Sequence, residues 1–180
     1  MSHVSFGSYW TNMLTKVIDT KYSKHWPYTV AHTKIADFGL AKQLKSDEES
    51  RIMVGTAEFV SPEIINYDPV STASDMWSVG VICYLLLTGL SPFLGDSDME
   101  TYSNVSNISY DFDDDSFDDI SEEATDFISK LLLKSKMERL TASQCLLHNW
   151  LEQARGMSLK TINPGMVFFI TGQKFLSKQD

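Results

Sequence analysis

The apolar positions of this chain fall into blocks, and their spacing changes from block to block. Tyr9, Trp10, Met13, Leu14, Val17 and Ile18 recur three and four residues apart, which predicts one short amphipathic helix. Pro27 then disfavours helix for Trp26. Residues 29–36 alternate and are rich in β-formers, predicting a short strand or strand pair. The densest apolar run is "MWSVGVICYLLLTGL", residues 76–90. It is shorter than the roughly 20 residues a membrane span needs. It also begins beside Asp75, so it predicts a buried core helix over 75–88, led in by 71–74 and stopped by Gly89.

Four shorter helices surround that run. Ser61 is placed as N-cap and Pro62 as first-turn residue of one of them. Residues 98–106 predict another. Ser121 caps a helix over 122–134, with Glu122 and Glu123 set against its dipole and Phe127, Ile128, Leu131 and Leu132 on its apolar face. Thr141 caps a last helix over 142–151 that carries Cys145, Leu146 and Trp150. The stretch "YDFDDDSFDDI", 110–120, holds too much like charge for a good helix and reads as a solvated loop, with attraction of basic substrates or regulators as its alternative. In the tail, Pro164-Gly165 precedes "MVFFI", five apolar residues suited to docking on the core or to an aggregation-prone strand.

Composition narrows the choice of function. The chain has 180 residues, which suits one domain, and 43% of them are hydrophobic, enough for a core. A net charge of −9 argues against a general nucleic-acid or anionic-membrane binder and permits basic protein partners. Cys83 and Cys145 are far apart in apolar surroundings without ligand spacing, so both are expected as buried thiols. The start has neither a charged nor an apolar region of the signal-peptide kind, and a cytoplasmic setting is expected. The sequons at Asn104 and Asn107 then read as chance matches.

Candidate chemistry begins at "TKIADFGLAK", residues 33–42. After it come "GTAEF" at 55–59, Ser61-Pro62-Glu63, "SDMWSVGV", "GLSPF", Arg139 and "HNWL". In this order and spacing the sequence resembles the C-terminal lobe of a protein kinase. The group it resembles is the calcium/calmodulin-dependent kinases, and its myosin light-chain and death-associated kinase branches most. The resemblance covers residues 33–151, with a non-family head at 1–32 and a tail at 152–180. It implies a mainly α fold: an activation segment plus a helical bundle, without the N-terminal β lobe.

The resemblance also implies roles. Asp37 matches the aspartate that binds Mg²⁺ bridging the phosphates of ATP, and a hard cation does need carboxylate oxygen. Phe38 would pack beneath that site and Gly39 would free the turn. Residues 40–63 match the activation segment. Thr56 matches the threonine that faces the catalytic aspartate in serine/threonine kinases, and Glu58 lies beside it in the substrate loop. Ala57 stands where the family often has proline, which loosens the loop without removing chemistry. The acidic "KSDEES" at 45–50 reads as a solvated charge run, with mimicry of a phosphorylated loop as its alternative. Glu63 and Arg139 match a buried ion pair tying the segment to the lobe. Asp75 matches the helix-start aspartate that holds the catalytic-loop backbone, and a plain acid at a helix N-terminus is the other reading.

Several family parts are not found. There is no glycine-rich loop, no Val-Ala-Ile-Lys segment and no His-Arg-Asp. Asp19 lies eighteen residues before Asp37, a workable spacing for a catalytic base, with Lys21 two further on. Against that reading, Val17-Ile18 replace His-Arg, and Lys24 sits where a metal-binding asparagine belongs; lysine has no acceptor for Mg²⁺. Asp19 therefore reads as a coincidence, or else as a remnant of a decayed loop. The chain is expected to be part of a serine/threonine kinase, incompetent alone, with a protein substrate or regulator as partner. A non-catalytic interaction module and a residual nucleotide sensor are the alternatives. Related kinases often carry a calmodulin-binding helix after this lobe, but this tail, broken at Pro164-Gly165 and only mildly basic, does not support one.

Overall fold

The computed structural model describes residues 40–41, 43–44, 49–112, 115–118 and 120–155. The helix predicted near 9–18, the strand predicted at 29–36 and the "MVFFI" run lie outside the described residues. What is described is helical: α1 (Pro62–Ile65), α2 (Thr72–Thr88), α3 (Asp98–Asn107), a 3₁₀ turn (Asp115–Phe117), α4 (Glu122–Ser129), α5 (Ala142–Leu146) and α6 (Asn149–Arg155). No strand occurs among the described residues.

Helix α2 is the hub, and its sequence dictates that. Apolar residues surround its whole circumference, so it has to be buried on most sides. Trp77, Val79, Val81 and Cys83 are fully buried. It starts at Thr72, three residues earlier than the pattern suggested. The reason is a capping box: the Ser71 hydroxyl accepts from the Ala73 amide, and the Ser74 hydroxyl accepts from the Ser71 amide at 3.1 Å. It stops at Gly89, whose φ of 81° is left-handed and whose amide donates to the Leu85 carbonyl at 2.8 Å. Gly80 lets α4 and its continuation approach. A Cβ there would sit 2.7 Å from Leu132 Cδ2 and 2.9 Å from Leu131 Cβ.

Two predicted helices are shorter than their apolar periodicity suggested. The 122–134 helix ends at Ser129, though Leu131 and Leu132 still face the core. The chain turns there: the Lys130 carbonyl accepts from the Leu140 amide at 3.2 Å instead of from a further helical turn, and Arg139 then takes the Leu133 and Lys134 carbonyls at 2.7 and 3.3 Å. The 142–151 helix is two helices. Between them, His148 accepts from the Leu151 amide through its carbonyl and from the Trp150 amide through Nδ1, so it begins α6 instead of continuing α5. α6 then runs on to Arg155, past the boundary expected at 152. Nε2 of His148 meets Asp126 Oδ2 at 3.0 Å, and Lys130, 2.6 Å away, is the main reason the Asp126 carboxyl lies below its ordinary range.

The acidic stretch from 110 is not merely solvated. Its aromatics turn inward: Tyr110, Phe112 and Phe117 surround Tyr84 with ring centroids 5.1–6.2 Å away. Asp111 and Asp118 point to solvent. Burial raises the Tyr110 phenol to about 12. Cys83 and Cys145 are buried free thiols as expected, and burial pushes both above the usual thiol range. Asn104 lies within α3 and donates from its side-chain amide to the Phe93 carbonyl at 3.1 Å.

One buried pair joins distant parts of the chain. Arg139 Nη1 and Nη2 reach Glu63 Oε1 and Oε2 at 2.7 and 2.8 Å. Nη1 also reaches the Ala73 carbonyl at 3.0 Å. The guanidinium lies 5.1 Å over the Trp77 ring, itself stacked on Phe93. Burial is the largest single influence on the Glu63 carboxyl and raises it, but the hydrogen bonds it accepts and the Arg139 charge together hold it below its ordinary value. Arg139→Ala should therefore cost about 3–5 kcal/mol, since a buried carboxylate is left alone. A melting curve unchanged from wild type would contradict this.

Ser61 makes the opposite prediction. It occupies the N-cap position of α1, but its hydroxyl does not cap the helix and is fully buried without a partner among the described residues. An unpaired buried hydroxyl costs about 1–3 kcal/mol. Ser61→Ala should raise thermal stability, by up to about 1 kcal/mol after the lost contacts are allowed for. A lower melting temperature would show that the hydroxyl has a partner.

Candidate substrate groove

The loop before α1 is held in a turn. The Phe59 amide donates to the Thr56 carbonyl at 2.9 Å. Gly55 carries the backbone into it at φ 133°, a conformation that other residues seldom adopt. As a result Thr56 is exposed, Ala57 is buried and Glu58 is half-buried. Ala57 thus faces the core rather than leaving the loop slack.

Across from this turn, residues 94–98 and the start of α3 form a second wall. Ser97 caps α3 by accepting from the Glu100 amide at 3.2 Å. Glu100 bends back to accept from the Asp96 amide at 2.8 Å. The Thr101 hydroxyl donates to the Ser97 carbonyl and accepts from the Gly95 amide. Between the two walls lies a groove of about 500 Å³, lined by Gly55–Glu58 on one side and by Leu94–Asp98, Thr101 and Tyr102 on the other. Its lining among the described residues holds three carboxylates, Glu58, Asp96 and Asp98, and no cationic side chain. Behind Tyr102 a small apolar hollow is lined by Met53, Val54, Val60, Ile64 and Ile65.

This arrangement can hold an extended, basic segment of chain against Thr56 with an apolar side chain in the hollow. Thr56 and Glu58 are thus brought together by the fold, and Glu63 and Arg139 are paired beneath them. Asp75 is set apart. It is exposed and makes no hydrogen bond or ion pair among the described residues, and crowding by the protein around it raises its carboxyl above the usual range. Asp19, Asp37, Phe38 and Gly39 lie outside the described residues. Among the described residues, no three His, Cys, Asp or Glu side chains gather as a metal site. No described helix is long and apolar enough to cross a membrane.

The α3 wall was not legible as a site in the sequence. "GDSDME" reads as a turn and a helix start, and nothing local says that it faces residues some forty positions earlier. Tyr102, which borders both hollows, carried no signal beyond its aromatic type.

Comparison with known proteins agrees with this geometry. The family described as "Protein kinase domain" matches residues 18–151, which takes in Asp19 and Lys21 as well as the stretch from Thr33. Smooth-muscle myosin light chain kinase of Gallus gallus is 51% identical over 131 residues, 72% of this chain and 7% of that protein. Serine/threonine-protein kinase 17A of Oryctolagus cuniculus is 52% identical over 121 residues, 67% of this chain and 30% of that protein. Among solved structures, the twitchin kinase region of C. elegans superposes with a TM-score of 0.64 at 47% identity, over 67% of this chain and 21% of that one. Titin kinase with its flanking domains gives 0.66 at 35% identity, over 86% of this chain and 31% of that one. The chain therefore spans a minor part of each of these relatives. With its activation segment, buried ion pair and helical hub in this order, the chain belongs to the protein kinase domain family.

Proposed function

We propose that this chain is the substrate-holding part of a cytoplasmic serine/threonine protein kinase of the calcium/calmodulin-dependent type. It seats a basic Ser/Thr-containing protein segment and does not transfer phosphate unaided. The observation that carries this reading is the acidic groove walled by the Thr56–Glu58 turn. Three carboxylates without a cation favour lysine and arginine on the partner. Thr56, exposed at the rim, stands beside the hydroxyl to be phosphorylated. Glu58 meets a basic neighbour of that hydroxyl.

The chemical half of a kinase is mostly positioning and charge stabilisation around the nucleotide. The family uses ATP and Mg²⁺. In this chain Asp37 is the residue that would ligate the ion, and its carboxylate suits a hard cation. The described residues supply no second ligand. Asp75, exposed and without a side-chain partner among the described residues, would hold the backbone of the loop bearing the catalytic base. Asp19 falls at a workable distance for that base, but the Val17-Ile18 and Lys24 positions around it do not suit the role. Lysine near the metal position repels the ion instead of binding it.

Two measurements test this. Titration with Mg²⁺-ATP should leave the melting temperature unchanged through the sub-millimolar range, and phosphate transfer to a basic serine peptide should stay at background. Stabilisation at those concentrations, or turnover, would overturn the claim of incompetence. The same peptide, fluorescently labelled, should bind the chain more weakly as salt rises. Glu58→Lys and Asp96→Lys should each weaken it several-fold, as expected for partly exposed charges worth about 0.2–1 kcal/mol, doubled by reversal. Binding indifferent to both changes would place the partner elsewhere.

A further inference from the structure

The α3 wall of the groove contains a glycine that its own backbone does not demand. Among the described glycines only Gly55 and Gly89 have left-handed φ, so Gly95 does not. What excludes a side chain at 95 is Glu100. A Cβ on Gly95 would lie 2.5 Å from Glu100 Cγ, 2.7 Å from its Cβ and 2.9 Å from its Cδ. The Glu100 Cβ is fixed to α3, so a change of rotamer alone does not relieve that clash. Glu100 comes this close because it folds back on the loop, and its Oε2 accepts from the Asp96 amide at 2.8 Å. Beside it the buried Thr101 hydroxyl accepts from the Gly95 amide at 3.0 Å. One turn on from Glu100, the Asn104 side chain holds the Phe93 carbonyl at 3.1 Å. Glu100 itself does not line the groove, whereas Gly95 and Asp96 do.

We propose that Glu100 is a positioning residue of the groove: seated against Gly95, its carboxylate fixes the Asp96 backbone and so sets the place from which the Asp96 side chain meets a partner. Gly95 is the other half of the device, because any side chain there unseats Glu100. A carboxylate suits the task. Its bond to the amide is charge-assisted and roughly twice as strong as a neutral one, which matters in a turn as exposed as this. The role of Asp96 towards a basic segment rests on the function proposed above, but the seat of Glu100 on Gly95 and Asp96 does not.

The seat is read by hydrogen exchange on the whole chain. Glu100→Ala should speed exchange at the Asp96 amide about tenfold, the loss of one hydrogen bond. Gly95→Ala removes no hydrogen-bonding group, yet it should speed the same amide comparably by displacing Glu100. Glu100→Gln keeps an acceptor oxygen in place and should keep that amide slow. Amides within α2 should not change in any of these proteins. Binding of the labelled basic peptide reads the consequence. Asp96→Asn should weaken it a few-fold, and so should Glu100→Ala. The two together should cost no more than the larger of them, since Glu100 acts through Asp96. Glu100→Gln should restore binding.

Unchanged exchange at Asp96 in Glu100→Ala would overturn the proposal, and so would wild-type peptide binding despite faster exchange. If Glu100→Gln binds as poorly as the alanine variant, the Glu100 charge acts on the peptide directly and the positioning role is wrong. Additive losses in the double variant would show independent action, and faster exchange throughout α2 would show general loosening; either overturns it. Faster exchange at Asp96 with no peptide binding by any form, wild type included, overturns the substrate reading and supports the seat alone.

Discussion

The buried contact between Glu63 and Arg139 is the constraint on which the rest of the structure depends. A guanidinium has five N–H donors and no acceptor, so burying it requires five acceptors in a fixed fork. Here they come from Glu63 twice, from the Ala73 carbonyl, and from the Leu133 and Lys134 carbonyls. These acceptors belong to three segments far apart in sequence. Satisfying one side chain therefore brings the end of the substrate loop, the first turn of α2 and the bend after α4 to one point. Replacing such a pair with apolar residues of the same size is often neutral or even stabilising. What an apolar replacement would lack is the fork, which fixes how these three segments meet.

The consequences spread outward from that point. Past the end of α4, Leu131 and Leu132 turn against Gly80 of α2, and Arg139 holds the Leu133 and Lys134 carbonyls of the bend that follows. Because Ala73 and Trp77 lie against the guanidinium, the start of α2 is fixed in position as well as capped. Glu63 is then held in place, and the short run from Phe59 to Glu63 inherits that order. The groove wall is the outermost layer of this sequence. Its turn is exposed, yet it is connected to the most buried charge in the described structure by only a few residues.

Much of this is legible in the amino-acid sequence, for a physical reason. The α2 run is apolar on all sides, and only a central helix can hide it. The Glu63–Arg139 pair is legible from motif order, since a lone glutamate after proline and a lone arginine after a helix say nothing by themselves. Caps at Ser121 and Thr141 are local chemistry and can be read locally, whereas the cap at Ser71 is hidden among the small residues 71–74 before the apolar run. Periodicity overestimates the helices at 122–134 and 142–151 because apolar spacing continues through turns when the turn residues still face the core. Leu131, Leu132 and Trp150 are buried whether or not their backbones are helical. Ser61 misleads for the converse reason: a good capping residue stands at the cap position, but its hydroxyl is buried away from the helix amides. The α3 wall of the groove is invisible in the sequence because it is a tertiary contact between two polar turns.

The acidic stretch shows how composition and placement separate. Its charge suggests a solvated loop, and Asp111 and Asp118 do behave that way. Its three aromatic residues instead close one end of the core around Tyr84. A run of aspartates repels itself and resists helix, but it does not resist being pinned by rings spaced between the charges. The same logic applies at the groove, where Glu58, Asp96 and Asp98 are held near one another by Ala57, Thr101 and the α3 cap rather than by any attraction of their own. Like charges gathered this way raise the energy of the empty groove. A cationic segment would relieve that repulsion, which is the physical ground for the basic partner proposed above.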